Sequence, residues 1–156
     1  MPLCLSKAKA LGRSGDLANA VVYLDRALKQ DATNNNAWSS KGYALLKLGR
    51  LPEAVETLET AVRLSPDFAN AWINLGEAQM RSRNLGRAIP SLERAIQLAP
   101  AAMDARLYLA QSYLAARLPA KSREQAEWLI ARKSDFVPAH AVQTLAWLLE
   151  GNSASA

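Results

Sequence analysis

The chain aligns with itself at a shift of 34 residues, without insertion or deletion, so that residues 1, 35, 69, 103 and 137 open equivalent units. A unit of that size cannot bury an apolar face alone and must stack on its neighbours, which restricts the fold more than any other feature of the sequence. The two middle units are the clearest. Asn35, Asn36, Ala37 and Trp38 stand against Ala69, Asn70, Ala71 and Trp72, while Ala54, Leu58, Ala61 and Pro66 stand against Ala88, Leu92, Ala95 and Pro100.

Within each unit the apolar residues follow two short helical periods. In the third unit these predict a first helix from about Asn70 to Ser82 and a second from about Leu85 to Ala99. Pro52 falls in the first turn of a second helix, and Pro66 and Pro100 fall just past helix ends, positions where a missing N–H is tolerated. Pro90 lies deeper and predicts a small distortion. Small residues, Ala8, Gly42, Gly76, Ala110 and Thr144 on first helices with Ala20, Ala54, Ala88 and Ser122 on second ones, predict close helix contact. Leu24, Leu58, Leu92, Ala27, Ala61 and Ala95 supply the core between hairpins.

In the second and third units, the Trp, Gly, Ala and Pro positions resemble the tetratricopeptide repeat family. The outer units are more degenerate: Cys4, Arg106 and His140 replace Trp38 and Trp72, and Ala32 and Ser134 replace the Pro. The resemblance implies an all-α fold, a right-handed α-solenoid of antiparallel helix hairpins with its first helices lining the concave face. One domain of four repeats is expected (1–34, 35–68, 69–102, 103–136), followed by a terminal half repeat (137–150) and a flexible tail (151–156).

Chemistry is sparse. Cys4 is the single thiol and His140 the single histidine, and both occupy a packing position of the repeat. No phosphate loop, dinucleotide fingerprint, paired-histidine or paired-cysteine motif occurs, so neither a cofactor nor a metal is expected and the chain reads as non-catalytic. The formal net charge of +5 is spread as +2, 0, +2 and +2 over the four units, with Glu150 beyond them. That even spread argues for solvated faces, and no nucleic-acid partner is expected. Glu53, Glu56 and Glu59 read as an exposed face. The N-terminus has no apolar run of signal-peptide length, and no run approaches a bilayer span, so the expectation is a cytoplasmic protein without membrane insertion.

The family resemblance implies a scaffold that binds a peptide or helix of a partner protein in its groove. The positions carried over are Asn36, Ser39, Ser40, Tyr43 and Lys47 in the second unit, Asn70, Ile73, Asn74, Glu77 and Arg81 in the third, and Asp104, Leu107, Tyr108, Gln111 and Leu114 in the fourth. Glu77 and Arg81 also fit an exposed i, i+4 ion pair. The family's clamp for acidic chaperone C-termini is matched only at Asn74, and its asparagine ladder is interrupted by Ser40 and Tyr108. Two alternatives stand beside the groove. One is a homo-oligomer assembling through the apolar terminal helix, with Val142, Leu145, Trp147 and Leu148 as contacts; the other is a detached regulatory region of a larger enzyme.

Overall fold

The computed structural model describes residues 2–153, with side chains from 3 to 151. The described residues form nine helices and no strands: α1 (Pro2–Ser14), α2 (Leu17–Gln30), α3 (Asn35–Lys47), α4 (Leu51–Leu64), α5 (Ala69–Arg81), α6 (Leu85–Leu98), α7 (Met103–Ala115), α8 (Pro119–Arg132) and α9 (Val137–Ser153). The expected helices of the third unit are therefore found within a residue at each end. The terminal helix runs past residue 150 through Ser153, so the first three residues assigned to a flexible tail are helical, and 154–156 lie outside the described residues. α6 continues through Pro90.

Each helix packs on the next in sequence, as hairpins in an array must. In addition α3 touches α5, α5 touches α7 and α7 touches α9, whereas the second helices make no comparable contact with one another. First helices therefore form the crowded inner layer and second helices the splayed outer one, which makes the first-helix face concave. The core lies between the layers: Leu45, Leu46, Leu58, Leu92 and Leu129 are fully buried. At Gly42 and Gly76 the two layers meet with no room for a side chain. A Cβ on Gly76 would stand 2.5 Å from Leu92 Cδ2, and one on Gly42 would stand 2.6 Å from Leu58 Cδ2.

Two kinds of joint connect the helices, each recurring at the repeat interval. Between first and second helix the chain turns through a left-handed residue at Gly15, Gly49, Arg83 and Arg117. Paired backbone bonds close each turn; at the third, Arg83 N–H donates to Met80 O and Asn84 N–H to Gln79 O, both at 2.9 Å. This is the hydrogen-bond pattern that satisfies the last carbonyls of a helix. Between units, a side chain in the first turn of the new helix donates to a carbonyl six residues back. Trp38 Nε1 reaches Ala32 O at 2.8 Å and Trp72 Nε1 reaches Pro66 O at 2.9 Å. The Arg106 guanidinium reaches Pro100 O at 3.4 Å, and His140 Nε2 meets Ser134 O at 2.7 Å. Arg106 and His140 thus keep the N–H donor of the indole they replace. Among the described residues, Asp16 and Asn34 cap their helices with a side chain, accepting from Asn19 N and Ala37 N.

Candidate partner-binding groove

Because side chains recur every 34 residues, equivalent positions of successive first helices fall in columns across the concave face. Eight of the residues carried over from the repeat pattern, Asn36, Ser39, Ser40, Tyr43, Asn70, Ile73, Asn74 and Asp104, line one cavity of about 560 Å³ there. Leu17, Ala20, Leu24 and Phe68 give it an apolar floor. None of the side chains of Asn36, Ser39, Ser40, Asn70 and Asn74 makes a hydrogen bond within the described residues. An amide both donates and accepts, so three amides and two hydroxyls standing over an apolar floor can meet a peptide backbone without selecting its side chains.

The first unit contributes Lys9, Gly12 and Arg13 from α1, residues outside the set expected from the sequence. Their signal was present in the periodicity, since Lys9 is one repeat before Tyr43 and Arg13 one repeat before Lys47. Glu77, Arg81, Tyr108 and Gln111 do not line the cavity. Glu77 is buried, 7% exposed, and its carboxylate accepts from Lys47 Nζ of the neighbouring helix at 3.2 Å. Arg81 stands farther off at 3.7 Å and donates to Leu46 O at 3.1 Å. The i, i+4 pair therefore forms, but on a buried carboxylate that also ties α3 to α5. Lys47 also lies over the Tyr43 ring, 5.3 Å from its centre. Burial, and then the Glu77 charge with its hydrogen bond, hold the Tyr108 phenol well above its ordinary pKa. Gln111 is half-buried.

The terminal helix divides the four residues expected to form one contact patch. Val142 is 4% exposed and packs with Ala110 and Ala126 inside the chain's own core, so it is withdrawn from any external surface. Leu145, Trp147 and Leu148 are 49%, 56% and 59% exposed. Trp147 occupies the column of Leu45, Gln79 and Tyr113, all of them buried. Arg123 covers one side of its ring at 4.3 Å and pairs with Glu150. Leu145 instead continues the groove column of Tyr43, Glu77 and Gln111. Cys4 is half-buried. Of the acidic residues on α4, Glu53 pairs with Arg50 and Glu59 with Arg87 of the next unit at 2.7 Å. Among the described residues no group of three or more His, Cys, Asp or Glu side chains is placed to hold a metal ion, and no helix is long and apolar enough to cross a membrane.

A family model described as tetratricopeptide repeat matches residues 5–67, 41–102 and 73–138. A crystal structure of MamA protein superposes with a TM-score of 0.89 at 27% identity, over 96% of this chain and 82% of that one. YrrB, described as a TPR protein with an unusual peptide-binding site, superposes at 0.84 and 19% identity, over 96% of this chain and 77% of that one. A mutant O-GlcNAc transferase of Thermobaculum terrenum gives 0.78 at 28% identity, over 84% of this chain and 26% of the enzyme. No curated protein sequence matches the chain.

Proposed function

The chain belongs to the tetratricopeptide repeat family and is a protein-interaction scaffold, and from that premise we propose that its concave groove holds an extended peptide segment of a partner protein. The observation that carries this reading is the cavity itself: amides and hydroxyls with no hydrogen-bond partner among the described residues stand over an apolar floor on the inner layer. Backbone groups of a ligand supply what those side chains lack, and Tyr43, 45% exposed at the rim, adds apolar area at low entropic cost. YrrB, a fold relative that carries a peptide site, supports the same use of the fold. Capture of the partner from an extract of the source cells, followed by titration calorimetry, tests it. Asn74→Ala weakens binding by about 1 to 2 kcal/mol with helical content unchanged, whereas Glu56→Ala on the outer layer leaves it unaltered. Glu59 is unsuitable as the control because it pairs across units with Arg87. Equal affinities for parent and Asn74→Ala move the binding surface elsewhere.

A second reading, self-association through α9, is favoured by Trp147 standing open in a column that earlier units bury. Sedimentation at rising concentration reads it directly, with Trp147→Ser as the variant that abolishes a dimer.

A further inference from the structure

The groove carries charge as well as amides, and its charge has a direction. Three charged residues line the cavity, Lys9 and Arg13 from α1 at one end and Asp104 from α7 at the other. Lys9 and Arg13 are one helical turn apart, both exposed, and neither forms a hydrogen bond, ion pair or ring contact within the described residues. Other basic residues nearby are engaged: Lys7 stacks on Tyr23, Lys41 pairs with Asp25 at 2.7 Å, and Lys47 is held by Glu77. Asp104 forms no ion pair within the described residues. Between the charged ends lie only the neutral side chains of α3 and α5.

Resting on the groove reading above, we infer that the ligand is a segment of mixed charge, held with an Asp or Glu between Lys9 and Arg13 and with a Lys or Arg toward Asp104. Two long cationic side chains one turn apart converge on a single carboxylate, and one carboxylate faces one cation at the far end. Like charges at either end repel, so the reversed orientation is rejected and the ligand has one polarity along the groove. Three steps between successive first helices separate α1 from α7; packed first helices lie roughly 10 Å apart, and α1, which packs on α2 without a comparable contact to α3, stands no closer. An extended chain covers that span in about nine residues.

The test is selection of a random peptide library of roughly twelve residues against the purified full chain, with folding of each variant checked by circular dichroism. Enriched peptides carry Asp or Glu near one end and Lys or Arg about nine positions away. K9E/R13E exchanges the first preference for Lys or Arg, and D104K exchanges the second for Asp or Glu. A synthetic peptide from the parent selection binds K9E/R13E at least about tenfold more weakly, and its affinity for the parent falls with added salt. K9Q/R13Q, which removes charge without reversing it, loses the preference and keeps the fold. Peptides that lose binding in Asn74→Ala but show no charge order, and are indifferent to K9E/R13E, overturn this inference and leave the groove reading standing. Enrichment indifferent to Asn74→Ala as well, or no enrichment at all, overturns both.

Discussion

Gly76 has no room for a methyl group, because the Leu92 side chain it would strike is fully buried and cannot turn aside. Gly76→Ala therefore destabilises by about 1 to 3 kcal/mol in urea denaturation. Gly86→Ala, whose new atom meets nothing within 4 Å, is neutral or gains up to about 1 kcal/mol from helix propensity. Arg83 gives the opposite lesson. It sits at φ 63°, a left-handed conformation that costs a side-chain-bearing residue more than glycine. Arg83→Gly then stabilises by about 0.5 to 1 kcal/mol in the same assay, whereas Arg63→Gly within α4 loses about 1 kcal/mol. The close crossings were legible because small residues recur at Gly42 and Gly76. The left-handed turns carry a sequence signal at Gly15 and Gly49, where a glycine follows a helix, and none at Arg83 and Arg117, since an arginine held in that conformation looks like any other. The latches between units were half legible: Trp38 and Trp72 read as packing, and only the geometry shows that Arg106 and His140 preserve their donated bond.

At the scale of helices, the concave layer is joined by one buried carboxylate. Glu77 receives Lys47 from α3 and Arg81 from its own helix, and its charge reaches the Tyr108 phenol of α7. Removing it leaves two cations facing each other over the same spot. Glu77→Ala is expected to destabilise by about 1 to 3 kcal/mol, less at high salt, measured by denaturation at two ionic strengths. The resemblance carried this residue into the groove set, and periodicity could not reveal that its carboxylate is buried. That depends on a lysine 30 residues earlier whose side chain crosses to the next unit. The terminal helix failed for a related reason. Its apolar residues read as one patch, but Val142 packs on Ala110 and Ala126 of the preceding hairpin, whereas Trp147 stands open although Leu45, Gln79 and Tyr113 at the equivalent positions are buried. Which face of an amphipathic helix is covered depends on neighbours, and the described residues place none beyond α9.

For the molecule as a whole, stability is close to a sum of units and their shared faces. Removing residues 69–102 should bring α4 onto α7 in the register that α4 now has with α5, because both joints recur at the same interval. The shortened chain is expected to remain helical and to melt at a lower temperature; a random-coil circular dichroism spectrum would contradict the repeat. The same deletion removes Asn70 and Asn74, so it also shortens the groove by one step and abolishes binding of a ligand that spans it. The recurring joints have one more consequence. Tethered at both ends and stretched, a molecule so built transmits tension through its units in series, and none shields the next. Each unit that gives way releases the same contour length, roughly 110 Å of extended chain, so the force trace is a staircase of even treads.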